Sequence, residues 1–350
     1  MIERFAIPRA EQVEPFLGAV IGALTWDGGA PTPLQLGLLE AVVTRFSLHD
    51  VPDVHSIEPW DPADVRAALP TPATRDELAH VVVALELMMH PLPVPLERHV
   101  ERYLIDVGVH APYVSVLRDT AANHVVRLHA DLVRNSYYTE QTIKGMFSGR
   151  FQELVRSKLS YYSMAKDDRL AAKWRALGDC PEGSWGRGVA DFYRVHGFAF
   201  PGEHSGIYEI GALHDWVHVI ADYGTDAEGE IDVFAFIAAT MADQRGFLQF
   251  IFTLALFQNG SIDTVGGRKV AIARADVLEE PGATDRLADA LFRATRCTAD
   301  VMGGVDHFAL ADRQIVELRE EWQILPKRFP SPGYLDVPGA APVDHDAGEI

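Results

Sequence analysis

The sequence predicts an all-α protein, and three observations carry that expectation. Apolar residues recur at helical spacing along most of the chain. Proline and glycine clusters separate the periodic stretches. Helix-start signals stand where new periods begin, such as Asp61-Pro62, an Asp cap followed by proline at the first helical position. At 350 residues the chain is long for one core, so two helical domains are expected, over 1–140 and 141–326, followed by an acidic, proline- and glycine-rich tail over 327–350 expected to be disordered.

Residues 9–23 set Val13, Phe16, Leu17 and Val20 on one stripe that continues to Leu24, and Asp27-Gly28-Gly29 with Pro31 and Pro33 ends this helix. A second helix is expected over 34–47. Residues 50–62 are polar with scattered prolines and form a loop into the short helix at Asp61-Pro62. Leu78, Val81, Val82, Leu85, Leu87 and Met88 describe a buried helix over 74–90. Pro91, Pro93 and Pro95 divide it from a helix over 96–107, and a longer one is expected over 112–137. This succession of helix pairs faintly resembles the tellurite-resistance TerB-type helical domains. The many histidines of this half, from His49 to His129, show no ligand spacing, and surface or hydrogen-bonded core positions are expected for them.

Residues 140–178 form a basic and aromatic helical connector that includes Lys144, Arg150, Lys158, Tyr161 and Tyr162. A solvated face is the plain expectation there, and a docking surface for an acidic partner is the alternative. Pro181 to Gly186 interrupts the helices, a further one follows over 189–197, and Phe200-Pro201-Gly202 forms a loop before a helix expected over 207–222. That helix carries His214-Asp215-Trp216-Val217-His218. His214 and His218 are one turn apart, and Asp215 and His218 are three residues apart, so all three fall on one face. Thr225 and Glu228 fit a capping box, which starts a new helix and sets Glu230 in its second turn. Two helices joined by the Asp222-Tyr223-Gly224 turn then bring His214, Asp215, His218 and Glu230 to one point. Mixed histidine and carboxylate ligation suits a divalent Zn, Fe, Mn or Co ion and excludes a structural thiolate site.

The spacing His-Asp-x-x-His-x11-Glu, ending Thr225, Gly229 and Glu230, resembles the Coq4 family of ubiquinone-biosynthesis proteins. Pro181-x-Gly183-Ser184-x-Gly186 resembles that family's upstream Pro-x-Gly-Thr-x-Gly segment, and Val316 to Trp322 resembles its closing Arg-containing helix. The resemblance spans roughly residues 145–326. The chain departs from the family at Ile210-Gly211-Ala212-Leu213, where the family carries basic residues, and in its large N-terminal part. The resemblance implies a helical metal-binding fold with His214, Asp215, His218 and Glu230 as ligands of an ion assigned as zinc. It further implies action on or near a prenylated aromatic quinone precursor, by oxidative decarboxylation at ring carbon C1 or by organising other biosynthetic enzymes.

Tyr223 and Asp222, just past the ligand helix, are candidates to hold a substrate hydroxyl or to orient a ligand histidine. His204, with Glu203, is a candidate acid or base in the preceding loop. The apolar stretch 234–257 is expected to be one helix that bends at Gly246. It is either core or a tunnel for an isoprenoid tail, in which Phe234, Phe247, Phe250 and Ile251 would line the substrate pocket.

A formal net charge of −19 argues against nucleic acid as a partner. Two cysteines, Cys180 and Cys297, make no disulfide framework, and Met1 to Phe5 is not the charged start of a signal peptide, so a cytoplasmic location is expected, with peripheral membrane association as a variant. The most apolar run, 247–257, is far shorter than the roughly 20 residues that cross a bilayer. The partners expected are a hydrophobic small molecule or isoprenoid lipid, other biosynthetic enzymes and a second copy of the chain. Two other readings stand beside the enzyme: a lipid-binding scaffold with a structural metal, and an HD-type phosphohydrolase, because His214-Asp215 is also that superfamily's dyad.

Overall fold

A computed structural model describes residues 8–46, 53–109, 167–204, 206–207, 209–241, 245–260, 264–265, 268–269 and 275–337. Within them the architecture is all-α. Five helices form the N-terminal half: α1 (Ala10–Leu24), α2 (Pro33–Phe46), α3 (Pro62–Ala68), α4 (Pro72–Glu86) and α5 (Val94–Val107). Proline at the first or second position opens α3, α4 and α5, where the missing N–H lacks an intrahelical partner anyway. Gly108, left-handed at φ 95°, closes α5. The helix expected over 112–137 and most of the basic connector lie outside the described residues.

Seven helices follow: α6 (Asp168–Arg175), α7 (Trp185–His196), α8 (Leu213–Ala221), α9 (Ala227–Thr240), α10 (Arg245–Phe257), α11 (Ala283–Arg296) and α12 (Ile315–Glu321). A two-residue antiparallel pairing, Thr264–Val265 with Arg268–Lys269, is the one strand pair among the described residues. The N- and C-terminal helices share one continuous apolar core. α2 packs on α11, where Arg45 pairs with Asp289 at 2.7 Å and the Phe46 and Phe292 rings meet edge-on. α4 packs on α10, and Gln258 and Asn259, just past α10, donate to the carbonyls of Met88 and Met89.

Four local expectations are corrected. The ligand helix starts at Leu213 rather than 207, because the Gly211 carbonyl is taken by the His214 side chain just before the first turn closes. α9 is capped by Asp226, whose carboxylate accepts from Gly229 N at 2.7 Å, and the Thr225 hydroxyl pairs with His196 instead. Glu230 therefore stands in the first turn of α9 rather than the second.

The apolar stretch 234–257 is two helices, because the backbone turns extended at Met241. Gly246 is not a bend; it lets α10 touch α9, since a Cβ there would sit 3.0 Å from Ala238 Cα and from the Ile237 carbonyl. The chain past 326 is ordered through Val337 and lies along the end of α8. Gly224 N donates to Pro332 O, His196 Nε2 donates to Tyr334 O, and Lys327 pairs with Asp222 at 3.2 Å.

Candidate metal centre

The ligand helix α8 is oriented by what lies behind it. Trp216 is fully buried in an aromatic cluster, its ring 5.1 Å from Trp185 and 5.3 Å from Phe308, and Trp185 Nε1 donates to Trp216 O. Anchoring Trp216 on that side turns His214, Asp215 and His218 toward the start of α9, where Glu230 stands. The Asp222 turn, left-handed at φ 63°, brings α9 back against α8.

One ligand atom from each of His214, His218 and Glu230 lies within 4.8 Å of the others. His218 Nε2 is 3.4 Å from Glu230 Oε1, and His214 Nε2 is 3.9 Å from Glu230 Oε2. Asp215 joins from the side, with Oδ1 3.3 Å from His214 Nε2. A backbone carbonyl can only accept, so the rings' far nitrogens reveal the proton positions. His214 Nδ1 donates to Gly211 O at 2.6 Å, and His218 Nδ1 donates to Tyr223 O at 3.2 Å. Both Nε2 atoms therefore face carboxylate oxygens.

Lone pairs opposed to carboxylates in a buried site repel unless a proton or a cation lies between them. His218 is completely buried, and among the described residues its Nε2 has no hydrogen-bond partner despite Glu230 being near. The neighbouring charges shift one another's proton affinities. Burial lowers the pKa of His218, but Glu230 and Asp215 outweigh it and the net shift is upward. Burial raises Glu230, yet His218 and His214 hold it below the usual carboxylate range. Asp215 is raised, chiefly by burial, against the opposing pull of His214 and Tyr193. The donor set fits a divalent ion held by two imidazoles and one or two carboxylates.

His214, His218 and Asp215 each have an outer partner of the kind that fixes metal ligands. Beyond the two carbonyls, Tyr193 of α7 donates its hydroxyl to Asp215 Oδ2 at 2.5 Å. Phe192 stacks on His218 at 5.5 Å, and Phe234 stacks on His214 at 5.5 Å. His214 and Glu230 retain partial exposure, with side chains 16% and 15% accessible, so the site is not sealed from solvent.

The remaining sequence-predicted residues are distributed differently. Tyr223 orients His218 through its carbonyl, whereas its hydroxyl is buried and engaged by Arg293. Asp222 accepts from Tyr334 N and pairs with Lys327, so it serves the C-terminal segment. His204 is exposed in the turn after Pro201. Of the four pocket candidates, Phe234 stands at the site, while Phe247 lies on His80 of α4 with ring centres 4.2 Å apart, and Phe250 and Ile251 are buried in the core. Sequence reading missed Tyr193, Arg293 and the outer carbonyl of Gly211. The one signal was Tyr193's place in a helix whose glycine-rich start already resembled the Coq4 segment. No family model, no curated protein and no solved structure matches this chain.

Proposed function

We propose that this chain is a metal-dependent protein of Coq4 type that acts on a hydrophobic aromatic or prenylated carboxylate. Its ion would be held by His214, His218 and Glu230 with Asp215 beside them, zinc being the first candidate and iron, manganese and cobalt the others. The observation that carries this reading is the convergence of two imidazoles, whose Nδ1 protons are already donated to carbonyls, on the half-buried Glu230 carboxylate. The substrate class comes from the resemblance of the ligand spacing to the Coq4 family.

A divalent ion there supplies Lewis acidity toward a phenolic or carboxylate oxygen, or a place for dioxygen or water. The chain's own groups do the rest. Phe192 and Phe234 flank the imidazoles and limit water. The Gly211 and Tyr223 carbonyls take up each Nδ1 proton and so turn each Nε2 toward the carboxylates, and Tyr193 holds Asp215. Glu230, placed toward both imidazoles, favours this reading over an HD-type phosphohydrolase, which has no role for that residue. The expected partners are an isoprenoid or aromatic small molecule and neighbouring biosynthetic enzymes.

Elemental analysis of the protein as purified tests the reading. About one equivalent of a transition metal per chain is expected, lost in His218→Ala and Glu230→Ala variants that stay folded. A metal-free wild-type protein that also fails to take up zinc or iron on dialysis overturns it. Ligand variants that lose their fold along with the metal would favour the scaffold with a structural ion.

A further inference from the structure

Helix α8 is nine residues long, and its last carbonyls have no helical N–H to receive. Two arginines distant in sequence converge on them. Arg319 of α12 donates Nη2 to Val219 O at 3.1 Å and Nε to Ile220 O at 2.9 Å. Arg293 of α11, only 2% exposed, donates Nη2 to Ala221 O at 2.9 Å and Nη1 to the Tyr223 hydroxyl. Tyr223 in turn gives its N–H to His218 O and its carbonyl to His218 Nδ1. The residue that sets the orientation of a buried ligand histidine is thus held at its side chain by one guanidinium, while the helix end before it is held by both.

Burying the Arg293 guanidinium and half-burying that of Arg319 is costly, and many helices are closed by a glycine or a capping turn without such groups. A planar fork bridges two neighbouring carbonyls in a fixed geometry, whereas an ammonium on its flexible stem reaches two carbonyls without fixing their direction, as Lys327 does at Ser331 and Pro332. A positive charge at this end also complements the helix dipole. The geometry points to Arg293 and Arg319 as positioning residues that, through the end of α8 and Tyr223, fix the His218 imidazole and so set the affinity of the metal centre. This rests on the metal reading above.

The test compares wild type with Arg319→Lys and Tyr223→Phe by chelator competition for zinc and by the visible absorption of the cobalt-loaded protein, with thermal melts of the metal-free forms alongside. Arg319→Lys keeps the charge but loses the fork; Tyr223→Phe keeps the ring and both backbone bonds to His218 but loses the hydroxyl that Arg293 grips. Zinc affinity is expected to fall roughly ten- to a hundredfold in Arg319→Lys, and less in Tyr223→Phe, with a changed cobalt spectrum in both. Unchanged affinity and an unchanged spectrum in both variants, with only a lower melting temperature, would mean that the arginines merely cap a helix, and the inference fails while the metal reading stands. A wild-type protein that binds neither zinc nor cobalt overturns the metal reading and this inference with it. Should Arg319→Lys not fold, Tyr223→Phe decides between the two outcomes.

Discussion

The Tyr193 hydroxyl donates to Asp215 Oδ2 at 2.5 Å in the interior, tying α7 to the ligand helix. Burial, reinforced by the Asp215 charge, pushes the Tyr193 pKa well above its ordinary value, so the proton stays on the phenol oxygen. The bond leaves Asp215 Oδ1 turned to His214. Tyr193→Phe preserves the ring, which stacks on Phe200 at 4.8 Å, and deletes only the donor. Metal affinity is expected to fall roughly tenfold or more, because an outer hydrogen bond to an inner carboxylate is lost. Competition with a chromophoric chelator measures it, and equal affinity in the variant would show that Asp215 needs no such support.

Glu86 is wholly buried on α4, and neither carboxylate oxygen has a hydrogen-bond partner among the described residues. Burial, with Glu97 adding to it, raises its pKa well above the usual range. A carboxyl raised in the fold contributes stability that is complete below its unfolded pKa and is lost as pH rises toward the folded value. Stability should therefore decline from pH 5 upward on account of this residue. Glu86→Gln removes the ionisation and Glu86→Leu removes the polar group as well; Glu86→Leu is expected to stabilise the protein at pH 8 by about 1–3 kcal/mol. Urea titrations of both variants at pH 5 and pH 8 check this, and a loss of stability at pH 8 in both would contradict it.

His307 carries the opposite sign. It is buried against Trp185 and Trp216, donates Nε2–H to Val301 O at 3.0 Å, and burial lowers its pKa to about 4. A histidine depressed in the fold contributes stability that is present above its unfolded pKa and is lost as pH falls through the folded value. Between pH 6.5 and pH 4 the wild type should lose on the order of 3 kcal/mol more than a His307→Gln variant. Parallel pH dependences of the two denaturation midpoints would remove His307 as the cause.

Gly246 lets α10 lie on α9 at backbone distance. Gly246→Val adds a branched side chain where Ala238 Cα, Ile237 O and Met241 Cβ are each 3.0 Å from an added Cβ, so the helices must separate. A loss of about 1–3 kcal/mol is expected from this overpacking, read as a lower midpoint in urea. A variant as stable as wild type would show that the pair can shift without cost.

Much of the helical plan was readable because helices announce themselves locally. The stripe Val13, Phe16, Leu17 and Val20, the start at Asp61-Pro62 and the spacing of His214 and His218 depend only on residues within a few turns. The errors arose where two local signals competed. Thr225 and Asp226 are both sound caps, and only the position of His196 decides that the Thr225 hydroxyl goes elsewhere. An apolar run from Phe234 to Phe257 has helical periodicity throughout, and nothing within it shows that the chain folds back at Met241 to cover its own greasy faces.

By itself the sequence determined the helical class and the four residues that carry candidate ligand chemistry, because both follow from short-range spacing. Tertiary structure alone decided what surrounds them. Tyr193 meets Asp215 across 22 positions, Arg293 meets Ala221 across 72 and Arg319 meets Ile220 across 99. Such partners share no periodicity with the residues they hold. They are chosen by the packing of helices against Trp216 and by the need of buried carbonyls and carboxylates for donors, which no local pattern records.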